Sequence, residues 1–249
     1  MTSPDPRRCG SARALLVIDR LVLADVVKLA LLHGRYITSV ARTHEDSVTA
    51  LTEWKPHLVV LDMDAAASSI LDRLVGPTYD RERLPVLALT RRGDLKTKLS
   101  AFERGVDDIL TVPFCPEEFV ARVVALMRRT YREPVAFSPL LRLGDLEIDI
   151  MNRRVRAGST ELHLTPLEQS LLYLLAANAG RLLTRDEILD QLWGADYVAE
   201  SNIVDRHIHN LRLKLQNHAH HVRYIATVPG RGYRFLPAAA GAASPGSTP

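Results

Sequence analysis

Five short apolar runs, separated by helix-like segments, constrain the first half of the chain more than any other feature. Each run has five residues, most of them apolar. Apolar runs of this length are typical of strands that are buried on both faces. Strands that alternate with helices predict an α/β fold with a doubly wound, five-stranded parallel sheet. The runs are ALLVI (14–18), YITSV (36–40), HLVVL (57–61), PVLAL (85–89) and DILTV (108–112).

Helix-start signals lie between these runs. Thr43 and Asp46 have the spacing of a capping box, in which each side chain bonds the backbone of the other. Pro116 is followed by two glutamates, which places a proline in the first turn of a helix and acids at its positive end. These signals support helices between the strands.

Several positions at or just past the ends of the runs are candidates for one site. In an open parallel sheet, ligands bind beyond the carboxyl ends of the strands. We therefore expect these residues to converge on one cleft, to which the third run delivers a carboxylate. The positions are Asp19, Asp62, Thr90 and Val112.

The second half of the chain has a different pattern. Residues 132–140 contain two prolines and are interpreted as a linker. Short strand-like pieces then predict a small antiparallel sheet, followed by three helices and a hairpin that turns at 229–232, which together form an α+β domain. The third helix is predicted over about 201–216. Capping-box pairs open the first two helices, Thr165 with Glu168 and Thr184 with Glu187.

Two faces are predicted for the third helix. An apolar stripe is formed by Val204, Ile208, Leu211 and Leu215. The opposite face is mostly polar and offers Asn and Arg, which read adenine and guanine edges in DNA. A solvated helix face is the alternative, and the basic hairpin that follows makes DNA binding the favoured interpretation. The face holds Asn202, Arg206, His209, Asn210 and Leu213.

Further cations predict contacts with phosphates or the minor groove. Residues 205–236 contain six Lys or Arg and one acid, although the net charge of the chain is only +3. Gly230 and Gly232 allow the hairpin to turn tightly with a cation at its tip. The cations are Arg212, Lys214, Arg231 and Arg234.

The whole chain resembles OmpR/PhoB-type response regulators, in which a receiver domain precedes a winged helix-turn-helix. The resemblance implies that the third helix enters the major groove of double-stranded DNA and that the hairpin is a wing at the minor groove. It also implies that the loop 195–200 contacts RNA polymerase. The matching stretches are LTPLEQSLLYLL (164–175), GRLLTRDEILDQLWG (180–194), VDRHIHNLRLKL (204–215) and VPGRGYRF (228–235).

Composition limits the setting of the chain, and the patterns along it set the predicted domain boundaries. Two cysteines give no disulfide framework, and the apolar runs are too short to cross a bilayer. We therefore expect a cytoplasmic protein with no membrane partner. The predicted segments are a flexible arm at 1–12, the receiver at 13–131, a linker at 132–139, the winged-helix DNA-binding domain at 140–236 and a disordered tail at 237–249.

The base-reading face departs from the family pattern. The family commonly has arginines where this chain has Asn202, His209 and Asn210. We therefore expect a different base preference. We also expect a weaker dependence of affinity on salt, because that dependence scales with the phosphates neutralised.

The residues of the predicted receiver cleft also depart from the family pattern. The resemblance makes Asp62 the phosphoacceptor, Thr90 the hydroxyl that senses phosphorylation, and Asp19 one of two magnesium-binding acids. Arg20 replaces the second acid and Val112 replaces a lysine. Replacing the acid with Arg20 removes a metal ligand and adds a cation, and losing the lysine leaves a phosphoryl group short of a counter-charge. Both changes together argue against efficient phosphotransfer, so we expect a degenerate receiver that needs no cofactor. Magnesium would bind only if the receiver is phosphorylated.

Arg20 has two readings. It either pairs directly with Asp62, in place of the metal and the lysine, or it points to solvent beside an unused pocket. The residues alone do not separate these readings.

The resemblance places a dimer face on the fourth helix, fifth strand and fifth helix of the receiver. Six charges there keep the family's sign, which predicts a homodimer that forms without phosphorylation. Ordinary surface charges on amphipathic helices are the alternative. The charges are Lys98, Asp107, Asp108, Glu118, Arg122 and Arg129.

Other functions stay open at this point. A conventional regulator would be switched when a histidine kinase phosphorylates Asp62, and the sequence does not identify such a kinase. An enzyme such as a phosphatase, using Asp19 and Asp62, lacks a nucleophile–base pair, so we expect no enzymatic activity. A protein-interaction module would not need the base-reading face.

One group of histidines is interpreted as a solvated helix end rather than a metal site: His207, His209, His218, His220 and His221.

Overall fold

The chain forms two compact units, with the main boundary between Ser138 and Pro139. The computed structural model describes residues 12–34, 36–71, 84–131, 140–194, 197, 202–216 and 224–236. The predicted tail, the linker and all of the predicted arm except residue 12 lie outside these ranges. None of the helices in the described ranges combines the length and the apolar character needed to cross a membrane.

The first unit contains the predicted five-stranded parallel sheet, with strand order β2-β1-β3-β4-β5. All residues of β3 and β4 are buried, as the unbroken apolar runs require. The predicted strands are confirmed to within one residue at each end. Their bounds are β1 Arg13–Val17, β2 Ile37–Ala41, β3 Leu58–Asp62, β4 Val86–Thr90 and β5 Asp108–Thr111.

Helices cover both faces of this sheet. Helices α1 and α4 pack together on one face, and α2, a 3-10 turn at Ala66–Ile70 and α3 pack on the other. The predicted capping box is present, since Thr43 Oγ1 accepts from the Asp46 backbone N–H at 3.0 Å and Asp46 Oδ2 accepts from that of Thr43 at 3.3 Å. The helices are α1 Leu21–Leu32, α2 His44–Thr49 with a π-helical continuation at Ala50–Trp54, α3 Leu95–Glu103 and α4 Pro116–Tyr131.

Helices α3 and α4 correspond to the predicted fourth and fifth helices of the receiver. The third predicted helix begins as the 3-10 turn, and residues 72–83 after it are not described. The doubly wound α/β class is therefore confirmed for this unit.

The second unit begins with a four-stranded antiparallel sheet and continues with three helices. Both predicted capping boxes are present, at Thr165 and at Thr184. The elements are β6 Leu140–Leu143, β7 Leu146–Asp149, β8 Arg154–Ala157, β9 Thr160–Leu162, α5 Pro166–Ala177, α6 Arg185–Trp193 and α7 Ile203–Gln216.

The closing hairpin has one more strand than the sequence predicted. β11 (Ile225–Val228) and β12 (Gly232–Phe235) pair as expected, and β10 (Leu182–Thr184) adds to the free edge of β12. Three residues are too few to show a strand period, so this strand is fixed by pairing and not by its own sequence.

Gly232 sits where β10 and β12 come closest. Its φ is +152°, and a Cβ there would overlap the carbonyl oxygen of Leu183 and lie 2.9 Å from the Cα of Thr184. Gly230, at the tip of the hairpin, has a φ of +68° with open space around it. The turn thus uses one glycine for conformation alone and the other also for close backbone approach.

Replacing Gly232 by Ala should therefore cost more than replacing Gly230 by Ala. We expect Gly232→Ala to lower the free energy of opening the β10–β12 sheet by about 2–4 kcal/mol, because backbone atoms must move apart. Gly230→Ala should cost about 1 kcal/mol, from the left-handed φ alone. Amide hydrogen exchange of peptides covering β10–β12 in the full chain measures both. Equal protection in the two variants would contradict the close-approach argument.

Candidate functional site

Helix α7 has the two faces that the sequence predicts. Its apolar stripe is buried: Val204, Ile208, Leu211 and Leu215 are each at most 5% exposed. Every residue of the predicted base-reading face is exposed, namely Asn202, Arg206, His209, Asn210 and Leu213. The predicted faces are thus confirmed, while the contacts of these side chains with DNA stay a prediction.

Two cations of α7 are held inside the unit. The Arg212 guanidinium donates to the Ile225 carbonyl from Nε at 3.2 Å and from Nη2 at 2.9 Å. Its Nη2 also lies 2.7 Å from Thr227 Oγ1. Lys214 Nζ lies 2.6 Å from Glu168 Oε2. Phosphate contacts by Arg212 and Lys214 stay a prediction, and these internal partners compete with them.

Glu168 links the start of α5 to the end of α7. Oε2 of this buried carboxylate accepts from the Thr165 backbone N–H at 2.7 Å, which completes the capping box, and from Lys214. Burial acts to raise the pKa of Glu168, but the hydrogen bonds from Lys214 and Thr165 outweigh it and hold the pKa below its usual value. Glu168 therefore stays ionised and keeps Lys214 in place.

The wing is tied to the start of α7 through Tyr233, which sequence reasoning missed. The Tyr233 hydroxyl donates to Asp205 Oδ1 at 2.6 Å, and Arg185 Nε donates to the same oxygen at 2.7 Å. The guanidinium carbons of Arg185 and Arg212 lie 5.1 Å and 5.4 Å from the centre of the Tyr233 ring, within cation–π range. The hydrogen bonds from Tyr233 and Arg185 hold the pKa of Asp205 below its usual value.

The two predicted wing cations are accessible. Arg231 is exposed in the turn between β11 and β12. Arg234 is exposed on β12, between the buried side chains of Tyr233 and Phe235. Both side chains are therefore accessible to solvent.

In the first unit, Asp62 lies at the end of β3 with none of its surface exposed. Arg20 Nε donates to Asp62 Oδ2 at 3.0 Å. Arg20 Nη2 is 2.9 Å from the same oxygen but off the hydrogen-bond direction, so Nε makes the directed bond and Nη2 adds Coulombic attraction. Of the two readings of Arg20, the pair with Asp62 is confirmed and the solvent-pointing side chain is wrong.

The second oxygen of Asp62 is also occupied. Oδ1 accepts from the backbone N–H of Asp64 at 3.1 Å. Asp64 in turn accepts from the Arg91 backbone N–H at 3.0 Å. Burial raises the pKa of Asp62, and the Arg20 guanidinium and the Asp64 N–H oppose that shift. Asp64 was not among the predicted site residues, although it stands two positions after Asp62 in the sequence.

The other predicted cleft residues occupy the same edge of the sheet. Thr90 is buried at the end of β4, and its Oγ1 accepts from the Arg92 backbone N–H at 3.0 Å. Val112 is buried just past β5, where its N–H donates to the Thr90 carbonyl at 2.8 Å. Asp19 is exposed before α1. At this edge of the sheet, Arg20 therefore pairs with the buried carboxylate of Asp62.

The predicted dimer face carries internal ion pairs. Arg122 Nη1 lies 3.0 Å from Asp108 Oδ1, and Arg122 Nη2 lies 2.7 Å from Glu118 Oε1. Asp107 accepts from the Val86 backbone N–H at 2.8 Å. Lys98 is half-buried on α3, and Arg129 is exposed on α4.

An apolar stripe on α3 was not predicted. Leu95, Leu99 and Phe102 are spaced by four and three residues, so they share one helix face. Their exposed fractions are 71%, 52% and 48%. Helix α3 carries both this stripe and Lys98.

Some predictions fall outside the described residues. They concern the loop 195–200, except Tyr197, and the histidines His218, His220 and His221. The contact of the loop 195–200 with RNA polymerase therefore stays a prediction, and so does the interpretation of the histidine group as a solvated helix end.

Comparison with known proteins places the chain. Residues 159–235 match the family described as Transcriptional regulatory protein, C terminal. The phosphate regulon transcriptional regulatory protein PhoB of Klebsiella pneumoniae is 33% identical over 225 residues, which are 90% of this chain and 97% of that protein. The DNA-binding response regulator MtrA of Mycolicibacterium smegmatis is similar to the same extent. The chain belongs to the OmpR/PhoB family of response regulators. The structure of DrrB, an OmpR/PhoB homolog of Thermotoga maritima, is 30% identical and covers 91% of this chain and 99% of its own, with a TM-score of 0.39.

Membership of the OmpR/PhoB family gives the two units their names. The first unit is a receiver, and the second is a winged-helix domain in which α7 is the recognition helix and β11–β12 is the wing. That Arg20 and Val112 depart from the family pattern in the receiver, and His209 and Asn210 on the recognition helix, stays a prediction from the resemblance.

Proposed function

We propose that this protein is a sequence-specific DNA-binding transcription regulator whose receiver acts without phosphorylation of Asp62. It binds double-stranded DNA through α7 and the wing, pairs with a second copy through the receiver, and contacts RNA polymerase. It turns over no substrate. The ion pair between Arg20 and Asp62 is the main support for a receiver that acts without phosphorylation.

DNA binding by α7 is supported by the chemistry of its exposed face. Arg206 and Asn210 are one helical turn apart, and such side chains make two-point hydrogen bonds to guanine and adenine in the major groove. Exposed Arg231 at the tip of the wing can neutralise a phosphate or enter the minor groove. The network around Tyr233 holds this wing to the same helix, so the two contact surfaces move together.

A silent phosphoacceptor is supported by the surroundings of Asp62. Both of its oxygens have internal partners, and its carboxylate has no exposed surface for a phosphodonor to reach. Arg20 brings a cation to the position where the family has a metal-binding acid. Val112 leaves no lysine to stabilise a phosphoryl group. Phosphorylation would have to break the ion pair and then bind magnesium beside a displaced arginine.

A dimer through α3, β5 and α4 is supported by the apolar stripe on α3. Leu95, Leu99 and Phe102 form an exposed apolar strip beside charges of both signs, the pattern of a self-complementary interface. Burial of apolar surface provides affinity, and charged pairs around it set orientation. Arg122 is held by Asp108 and Glu118 within one chain, and these internal partners compete with ion pairs to a second copy, so the apolar stripe carries this part of the proposal.

A conventional switch is the second candidate, and one observation favours it. Asp62 and Thr90 stand at the ends of the neighbouring strands β3 and β4, where a phosphoacceptor and a sensing hydroxyl belong. In that case a histidine kinase and magnesium would be partners. Loss of the Arg20 ion pair on phosphorylation would then be the switch.

Intact mass spectrometry after incubation with acetyl phosphate and magnesium separates the two candidates. We expect wild-type protein to stay unmodified. The double change Arg20→Asp and Val112→Lys should produce a phosphorylated species, because it restores a metal ligand and a counter-charge. Adding Asp62→Ala to that variant is the control and should abolish the adduct. Stoichiometric phosphorylation of wild-type Asp62 would refute the silent phosphoacceptor.

Sedimentation equilibrium without phosphodonor tests the dimer. Wild-type protein should associate reversibly, and Leu99→Glu should weaken association by at least about tenfold, because a charge would be buried at the interface. Leu32→Glu is a matched control, since Leu32 is 54% exposed on α1, which is not one of the three elements of the proposed interface. A wild-type protein that is monomeric at every concentration, or a Leu99→Glu variant that associates normally, would speak against the interface.

Binding to a duplex chosen by in vitro selection tests the recognition face. Arg206→Ala and Asn210→Ala should each reduce the preference for that duplex over random DNA by about 1–3 kcal/mol, because each removes a base contact. Arg154→Ala is a control for lost charge, since Arg154 is 67% exposed on β8. Unchanged affinity and preference in both variants would favour a protein-interaction module over a DNA-binding regulator.

A further inference from the structure

Leu213 is the one large apolar side chain exposed on the described residues of α7, with 48% of its surface accessible. At about 100° per residue, it lies in projection between Asn202 and Arg206, in the middle of the exposed face. An exposed leucine on a protein surface is by itself ordinary. Its place on the angular midline of a polar, base-reading face, three residues past Asn210, makes it informative.

The neighbours of Leu213 in the sequence point away from this line. Arg212 is bonded to the β11 backbone on one flank of the helix, and Lys214 is paired with Glu168 on the other. At this level of α7, the group that faces outward is therefore an isobutyl group between two anchored cations. When the face enters a groove, this side chain meets the base edges and the cations stay at the sides.

From this arrangement we infer that Leu213 reads the C5 methyl of a thymine, so that the protein selects a half-site with a thymine beside the bases read by Arg206 and Asn210. The inference rests on the proposed DNA binding through α7 and extends it to the base that this position recognises. Thymine presents its methyl group in the major groove, where the other base edges present hydrogen-bonding groups. Leucine can bury that methyl but cannot satisfy a donor or an acceptor, so it favours thymine over cytosine at the same place.

Deoxyuridine substitution tests this directly, because it removes the methyl and leaves base pairing unchanged. The full-length protein is used to select a preferred duplex, and each thymine of the half-site is then replaced singly by deoxyuridine. Dissociation constants are measured at one fixed salt concentration. We expect one position at which the replacement weakens wild-type binding by about fourfold, the effect of losing one buried methyl contact.

Variants at position 213 assign the effect to this side chain. Leu213→Ala should bind the thymine and deoxyuridine duplexes equally, whereas Leu213→Met, which keeps an apolar side chain of similar volume, should retain most of the difference. Leu32→Ala, which removes an exposed leucine from α1 of the receiver, should retain the full difference.

Each outcome has a separate meaning. If the wild type selects a site and no deoxyuridine replacement matters, or if Leu213→Ala shows the same difference as the wild type, the thymine contact is refuted and DNA binding through α7 stands. If the wild type selects no sequence at all, the proposed function falls and the thymine contact with it.

Discussion

The pairing of Arg20 with Asp62 is the interaction that constrains what can bind at the receiver's phosphoacceptor position. A carboxylate without exposed surface is unfavourable unless a cation and hydrogen-bond donors compensate it. Here the guanidinium of Arg20 and the N–H of Asp64 supply both, one at each carboxylate oxygen. A metal ion and a phosphoryl group could bind Asp62 only after its bonds to Arg20 and to the Asp64 N–H were broken. The same contact joins the residue before α1 to the end of β3.

Charges in the winged-helix domain are likewise committed to internal partners. Lys214 is held by Glu168, and Arg185 is held by Asp205 beside the Tyr233 ring. Such bonds orient α7 and the wing before DNA arrives, which lowers the ordering cost of binding. They also reduce the number of cations that can neutralise phosphates. His209 and Asn210 on the recognition face are polar and not arginines. We therefore expect base reading to contribute more to binding than general attraction to DNA, and we expect the affinity for DNA to depend only weakly on salt.

Much of the fold could be predicted from local signals. The apolar runs predicted the five parallel strands, capping residues marked the helix starts at Thr43, Thr165 and Thr184, and the spacing of apolar residues separated the two faces of α7. Each of these depends on residues within one element or at its edge, where the sequence pattern and the physical requirement coincide.

The remaining features depend on contacts between elements. β10 is strand-like only because β12 offers a free edge, and the bond from Tyr233 to Asp205 joins residues that no sequence period relates. The apolar stripe of α3 could not be predicted from its spacing, because apolar residues four and three apart are equally typical of a buried helix face and only the fold shows that this face is exposed. Arg20 was the exception: its chemistry beside a buried carboxylate allowed the pair to be proposed, but only the geometry could separate it from a solvent-facing side chain.

In the proposed regulator, the ion pair between Arg20 and Asp62 has a consequence for control. In a switched regulator, a phosphoryl group shifts a conformational equilibrium because it interacts differently with the two states. If Arg20 acts on Asp62 in every molecule, that equilibrium is set by the sequence and no longer by a donor. Under the proposed function, the fraction of dimer then depends on protein concentration and on DNA, because a duplex with two half-sites would bind the dimer and favour it by mass action. Control would pass from a chemical input at Asp62 to the amount of protein made, because that amount sets how much of the proposed dimer forms through the stripe of α3.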